Sequence, residues 1–213
     1  MIPIRDRNPT EGSAYVTIGI LAINVLAFLF WQPITGTARE QAIFFYCHGV
    51  VPLEVSQLQP LPEVVQACNG KSVIASVFTS MFLHGGWLHI GGNMLYLWVF
   101  GNNVEDRMGS VTFLLFYLGA GVAAALAQIG ADAQSTIPMI GASGAIAGCL
   151  GAYLVMFPRH KVLTLVPIFF FLHLMELPAV LVLGFWFVLQ ALQGIGALGG
   201  DPRGVAWFAH IGG

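Results

Sequence analysis

Long apolar runs separated by short polar links constrain this chain more than any other feature. Hydrophobic residues make up 57% of the 213 residues and charged residues only 8%, whereas an ordinary soluble domain is about 25% charged. A chain with so few charges cannot cover a globule with polar surface, so lipid must be the solvent for much of it. The net charge of −2 and the lack of a basic block remove any electrostatic case for binding nucleic acid.

The apolar runs predict one all-α domain over residues 1–213, a bundle of six transmembrane helices. The first run, residues 14–31, is long enough to cross about 30 Å of hydrocarbon. Residues 1–13 and 32–80 are interpreted as a short cytoplasmic N-terminus and an external loop. The remaining spans are predicted at residues 87–101, 111–129, 143–156 and 177–192, with a sixth that begins near Gly204.

Two segments depart from this pattern. Residues 162–175 are apolar but contain Pro167 and His173 and show no turn that would reverse the chain, so we interpret them as an interfacial connector. The last helix has only about ten residues before Gly213, half of what a span requires. We therefore expect the sixth helix to be truncated here and the natural chain to continue.

The distribution of Lys and Arg favours a cytoplasmic N-terminus. We expect the membrane to be a bacterial-type cell (inner) membrane. With that orientation the inside loops hold five of these residues and the outside loops three, Arg39, Lys71 and Arg203. Cys47 and Cys68 then lie in the external loop, where a disulfide is chemically allowed. Two free thiols remain an alternative, because the sequence does not show whether the two Cα atoms come close enough.

A serine and two histidines lie inside the apolar runs. The segment Gly141-Ala142-Ser143-Gly144 opens the fourth helix, and His210 lies in the sixth. Counted from the helix ends, Ser143 and His210 lie about 8 and 9 Å below the outer boundary, and His89 on the second helix about 12 Å. Hydroxyls and imidazoles are poorly tolerated in lipid without a partner, so three polar side chains in one layer indicate a functional site.

These residue types suit nucleophilic hydrolysis. Histidine titrates near neutrality and can act as a base for Ser143, and no carboxylate is expected on a span at this depth, which predicts a dyad without an acidic third member. His89 and Asn93 are four apart and share a helix face, from which both can donate to an oxyanion. Gly141 lets the backbone approach closely and leaves the serine uncrowded.

Structural interpretations compete with each of these roles. Gly-x-Ser-Gly in a membrane helix is often small-residue packing, and a lone membrane histidine can be a helix–helix hydrogen bond. His84 and His89 are five apart, share no helical face and lack the glutamate of His-Glu-x-x-His. We therefore expect no metal and no other cofactor.

Three motifs in order resemble those of rhomboid intramembrane serine proteases: His-Gly-Gly-Trp-Leu-His-Ile-Gly-Gly-Asn at 84–93 with Glu-Asp-Arg-Met-Gly at 105–109, Gly-Ala-Ser-Gly-Ala at 141–145, and Ala-Trp-Phe-Ala-His-Ile-Gly-Gly at 206–213. The resemblance implies Ser143 as nucleophile and His210 as general base. It implies an oxyanion site made by His89, Asn93 and the backbone N–H of Ser143, beside Gly141, with His84 at the mouth of the cavity. Many relatives have an aromatic residue stacked on the base where this chain has Ala147, so another residue must orient His210.

The expected function is therefore an intramembrane serine endopeptidase that forms an acyl-enzyme in a cavity open to the outer face. Its expected partners are membrane lipid and single-span membrane proteins, which it cuts within or near their transmembrane segment. The alternative is a catalytically inactive rhomboid-like protein that binds membrane clients. A small transporter would need polar residues on both sides of the midplane, whereas these cluster on one side. The sequence leaves the substrate and the oligomeric state open.

Overall fold

The structure is a computed structural model that describes residues 1–68, 70–197 and 207–213. Most of this part is helical. Helix α1 (Tyr15–Leu26) continues into a π-helical turn (Ala27–Trp31), and α6 (Trp87–Tyr96) continues through a second π-helical segment (Leu97–Gly101) into α7 (Asn102–Met108). The later helices are α8 (Ser110–Ala131), α9 (Ser143–Met156), α10 (Ala179–Ala197) and α11 (Trp207–Gly212).

The predicted apolar runs coincide with helices where the structure describes them. Residues 14–31 and 143–156 agree with Tyr15–Trp31 and Ser143–Met156 to within one residue. Among the described residues, α8 is the one helix that is long and apolar enough to cross a membrane alone. The helical segments Val73–Phe82 and Trp87–Met108 are long and apolar enough only when they are taken together, and they are bent by 81° relative to each other. The number of spans therefore stays a prediction, and the predicted start near Gly204 lies outside the described residues.

The expectation of an all-α fold is wrong, because the chain also forms a three-stranded antiparallel sheet. Its strands are β1 (Ile2–Asp6), β2 (Lys161–Ile168) and β3 (Phe171–Pro178), in the order β1-β2-β3. β2 and β3 pair from Lys161 opposite Pro178 to Ile168 opposite Phe171. The predicted connector, residues 162–175, is therefore a β-hairpin. Its reversal was missed because it uses Phe169 with φ of 52°, a conformation that is uncommon for a residue other than glycine.

The segment predicted as an external loop, residues 32–80, contains α2 (Ala38–His48), α3 (Pro52–Gln57), α4 (Pro62–Cys68) and α5 (Val73–Thr79). A disulfide joins Cys47 to Cys68, whose Cα atoms lie 5.4 Å apart, so of the two alternatives the structure has the bridge. Lys71 and Glu54 form a buried ion pair, with side chains 1% and 0% exposed. Burial lowers the pKa of Lys71 in spite of this partner.

Helix α9 lies at the centre of the helical packing. It contacts α8, α10 and α11 and the π-helical end of α6, and its residues from Gly144 to Leu150 are all buried. Two of its glycines face alanines of α8, since a Cβ at Gly144 or Gly148 would lie 2.5 Å from the Cβ of Ala124 or Ala120. Small residues at these positions let the two helices approach closely. The hydrophobic core surrounding α9 includes Phe100, Phe113, Tyr117, Leu150, Tyr153 and Leu183.

Candidate active site

Ser143 is the first residue of α9, directly after a tight loop. The loop needs glycine at 141, where φ is +128°, because side chains rarely adopt this conformation. The Gly141 N–H donates to the carbonyl of Ser80 at 2.9 Å, which ties the loop to the segment before α6. The N–H groups of a helix's first turn have no partner within the helix. The Ser143 N–H is therefore well placed to bind an anion near its own hydroxyl.

His210 meets Ser143 from the facing helix. Nε2 of His210 lies 2.7 Å from Oγ of Ser143, a hydrogen bond between helices α11 and α9. Gln128 of α8 supports this arrangement, because its Oε1 accepts from the N–H groups of Phe208 at 3.0 Å and Ala209 at 3.3 Å. The structure thus brings together the two residues that the sequence paired by their depth and by the motifs in which they lie.

Gln190 of α10 completes the contacts of the imidazole. Its Oε1 lies 2.6 Å from Nδ1 of His210, and Gln190 is only 9% exposed. The ring of Trp186, one turn earlier on α10, lies 5.9 Å from the His210 ring, centre to centre. Gln190 and Trp186 thus contact His210, which has no aromatic residue beside it at position 147. Gln190 was not among the residues predicted from the sequence, although a polar residue in an apolar helix is the same signal that indicated Ser143 and His210.

His89 points toward the loop before Ser143. Its Nδ1 accepts a hydrogen bond from the Gly85 N–H at 3.2 Å, so in the neutral ring Nε2 carries the proton. Nε2 lies 2.8 Å from the position that a Cβ at Gly141 would occupy. His89 therefore presents a donor beside Ser143, and any side chain at 141 would obstruct it.

Asn93 lies one turn after His89 on α6. Its Nδ2 is buried and has no hydrogen-bond partner among the described residues. Buried amide donors are normally satisfied, and an unsatisfied one costs about 1–3 kcal/mol. An unpaired donor on the face that carries His89 is consistent with a group that acquires its partner only when substrate is bound.

His84, which was expected at the mouth of the cavity, lines a small cavity of about 60 Å³ together with Gln32, Gly85 and Trp87. It is 1% exposed and packs edge-on against the ring of His89, with ring centres 5.1 Å apart. Gln32 holds its backbone: the His84 N–H donates to Oε1 at 2.9 Å, and Nε2 of Gln32 donates to the His84 carbonyl at 2.8 Å. This position behind His89 fits a supporting role.

A small cavity of about 40 Å³ adjoins Ser143 between α8 and α9. This volume exceeds the ~10–15 Å³ that one water molecule needs. Its lining includes Ser80, Gly121, Ala124, Gly141, Ser143 and Ala209. Within the described ranges no group of three or more His, Cys, Asp or Glu side chains could hold a metal ion, and the side chains gathered at the site are donors and acceptors for proton transfer.

Comparison of the sequence with known proteins identifies its family. A family model described as a rhomboid domain matches residues 71–213, which include every predicted site residue. The rhomboid protease GluP of Bacillus subtilis is 46% identical over 78 residues, covering 37% of this chain and 15% of that protein. The yeast protein named Rhomboid protein 1, mitochondrial, is 34% identical over 95 residues, or 43% of this chain and 28% of the relative.

The human presenilin-associated rhomboid-like protein, mitochondrial, is 28% identical over 167 residues, covering 77% of this chain and 38% of that protein. The chain thus spans well under half the length of each of these curated relatives. The family model, by contrast, matches more than half of the chain and contains the Ser143–His210 pair. The chain belongs to the rhomboid family.

Proposed function

We propose that this protein is an intramembrane serine endopeptidase that works through a Ser143–His210 dyad and an acyl-enzyme. The observation that carries the proposal is the 2.7 Å contact between Oγ of Ser143 and Nε2 of His210. A serine hydroxyl is a weak nucleophile until a base within hydrogen-bond reach accepts its proton. The resemblance to a relative named a rhomboid protease supports the same reaction class.

The proposed reaction begins when Nε2 of His210 takes the hydroxyl proton as Oγ of Ser143 attacks the carbonyl carbon of a peptide bond. The tetrahedral intermediate collapses when the imidazolium gives its proton to the leaving amine, which departs and leaves an acyl group on Oγ. A water molecule then attacks the ester carbonyl while His210 takes its proton. The imidazolium finally returns a proton to Oγ, and the carboxylic acid product is released.

The negative charge of the tetrahedral intermediate requires donors, and three are available. They are the Ser143 N–H at the start of α9, the Nε2–H of His89 and the Nδ2 of Asn93. Donors fixed in a water-poor site stabilise the oxyanion without reorganising during the reaction, which is usually the largest catalytic contribution.

The proposed substrates are single-span membrane proteins, cut within or near the transmembrane segment. The site lies among apolar helices, so a peptide in the membrane can reach it, but a helical substrate must unwind first because its carbonyls are hydrogen-bonded. We further propose six spans with the N-terminus in the cytoplasm and the site open to the outer face of a bacterial-type membrane. The Lys and Arg distribution supports this orientation, as does the Cys47–Cys68 disulfide in the proposed external segment.

The proposal is tested by labelling the detergent-purified protein with a fluorophosphonate and by measuring cleavage of a single-span substrate. We expect labelling and cleavage in the wild type and neither in Ser143→Ala, while His210→Ala loses both almost completely. The double variant should be no worse than either single one, because the two residues act as a unit. Ser13→Ala is the matched control, since Ser13 is exposed outside the bundle. Clear turnover by Ser143→Ala, or no labelling of the wild type, would exclude the serine mechanism and leave a client-binding role.

A further inference from the structure

Gln190 is a buried polar side chain in an otherwise apolar part of α10. The preceding residues of this helix, Ala179–Leu189, contain no charged or amide side chain. A glutamine amide that is 9% exposed in such surroundings needs hydrogen-bond partners. Its Oε1 finds one in Nδ1 of His210, at 2.6 Å.

This contact bears on the position of the proton in the neutral imidazole. To accept the hydroxyl proton of Ser143, Nε2 of His210 must carry a lone pair, and the ring proton must then be on Nδ1. A proton on Nδ1 needs an acceptor, and the amide oxygen of Gln190 is one. The opposite tautomer would place an N–H against the serine hydroxyl and leave no base for it.

The contact persists when His210 takes the serine proton. The imidazolium has an N–H at both nitrogens, so Nδ1 keeps donating to Gln190 while Nε2 holds the transferred proton. The bond then involves a charged donor and becomes stronger, roughly twice as strong as a neutral one. Gln190 therefore stabilises the charged state that forms during the reaction more than the resting state, which is the condition for raising kcat.

An amide suits this position better than a carboxylate would. An ionised carboxylate is costly to bury in a membrane bundle, whereas a glutamine supplies the same acceptor at a lower desolvation cost. Trp186, four residues before Gln190, places its ring 5.9 Å from the imidazole. One helix thus contacts the histidine both at its Nδ1 edge and beside its ring.

We propose that Gln190 is a positioning residue that holds His210 in the Nδ1–H tautomer and aims its Nε2 at Ser143. The Ser143–His210 dyad would then have an uncharged third member, Gln190, which α10 supplies. This inference rests on the proposed function.

The first test compares Gln190→Met, which keeps the length of the side chain and removes the acceptor, with Gln190→Glu, which keeps an acceptor at the same reach. Loss of a partner that orients a metal-ligating histidine typically costs about 10–100-fold. We expect an effect of the same order here, so kcat of Gln190→Met should fall by about that factor with KM nearly unchanged. Gln190→Glu should recover most of the lost kcat. Gln193→Met is the matched control, because Gln193 is an exposed glutamine on the same helix, and it should cleave at the wild-type rate.

The second test reads the tautomer directly, by ¹⁵N NMR of histidine-labelled protein in detergent at a pH where His210 is neutral. The His210 signals are those absent from His210→Ala. We expect a protonated Nδ1 and an unprotonated Nε2 in the wild type and a mixture of tautomers in Gln190→Met. An Nε2–H tautomer in the wild type would overturn the proposal, as would a Gln190→Met variant that keeps both the Nδ1–H tautomer and the wild-type kcat.

The two proposals fail in different ways. If the wild type neither cleaves nor reacts with the fluorophosphonate, the proposed protease function is wrong, yet the tautomer of the wild type still tests the contact with Gln190. If Gln190→Met does not fold, the wild-type tautomer and the kcat of Gln190→Glu decide the matter: a protonated Nδ1 with near-wild-type turnover supports the assignment. A lack of turnover in a folded Gln190→Glu that is still labelled at Ser143 counts against it.

Discussion

Gly141 shapes the space between the residues of the candidate site. Its φ of +128° turns the chain into α9, and a Cβ there would lie 2.8 Å from Nε2 of His89 and 3.4 Å from Oγ of Ser143. A methyl group at 141 would therefore be strained by the backbone and would also displace the donor that faces the serine. In the proposed oxyanion site, the lack of a side chain at Gly141 would leave room for the substrate oxygen.

Asn93 provides a prediction that separates catalysis from packing. We expect Asn93→Ala to lower kcat by about 10²–10³-fold, or about 2.7–4 kcal/mol, because its Nδ2 would bind charge that exists only in the transition state. KM should change little. kcat, KM and melting temperature are to be measured on the same preparations. A variant that melts early but cleaves at the wild-type rate per folded molecule would show that Asn93 is a structural residue.

Three glutamines at the site, Gln32, Gln128 and Gln190, were not anticipated. Each accepts or donates across elements that are far apart in the chain: Gln32 to the backbone of His84, Gln128 to the start of α11, and Gln190 to His210. The sequence shows that Gln190 is polar in an apolar helix. It does not show which neighbour the amide faces, because that depends on how α10 and α11 pack.

At the scale of elements, the exposed hairpin has the composition of a membrane-facing segment. Phe169 and Phe170 at its tip are 94% and 99% exposed, and Phe171 and Leu172 beyond them are also exposed. Apolar residues stand on both faces of β3, so neither face is suited to water alone. The prediction that residues 162–175 lie at the membrane–water interface is compatible with this exposed apolar surface. The predicted lack of a turn in this segment was wrong.

The Lys71–Glu54 pair provides a prediction for the segment between α1 and α6. Breaking a buried pair by removing one partner leaves an uncompensated charge and costs about 3–5 kcal/mol, whereas replacing both partners by uncharged residues leaves no buried charge. Lys71→Met should therefore lower the melting temperature clearly, and adding Glu54→Gln should restore most of the loss. The control is Lys161→Met, which breaks the ion pair between Lys161 and Glu176. These two side chains are 63% and 39% exposed, and an exposed pair contributes about 0–1 kcal/mol to stability. Equal losses in the single and double variants would contradict this interpretation.

At the scale of the molecule, hydrogen bonds connect the N-terminal strand to α9, the helix that begins with Ser143. Oδ2 of Asp6 accepts from Nδ2 of Asn103 at 2.6 Å and from the hydroxyl of Tyr153 at 2.9 Å. Tyr153 belongs to α9 and Asn103 to α7. Residues 1–13 were predicted only as a short cytoplasmic segment, yet β1 joins the sheet to the base of the bundle through this carboxylate.

The pH dependence of stability tests how burial acts on the Asp6 carboxyl. Burial raises the pKa of Asp6 above its ordinary value of 3.8, and the hydrogen bond from Tyr153 and the nearby charges of His160 and Arg5 oppose it. Because the folded state then favours the protonated carboxyl, this contribution to stability is present below pH 3.8 and is lost as pH rises through the raised pKa. We therefore expect the melting temperature of the wild type, relative to Asp6→Asn, to fall as pH rises from 3.8 toward neutrality. A difference that grows with pH would contradict the raised pKa.

The sequence by itself determined that lipid surrounds most of the chain, where the long helices lie and which residue types form the candidate site. These follow from composition and from the cost of polar groups in lipid, which act locally along the chain. Only the tertiary structure decided the strand pairing, the Cys47–Cys68 bridge, the burial of His84 and the contact between Gln190 and His210. Each of these depends on which side chains the packing of distant segments brings within hydrogen-bond or covalent reach, and no local pattern in the chain encodes that distance.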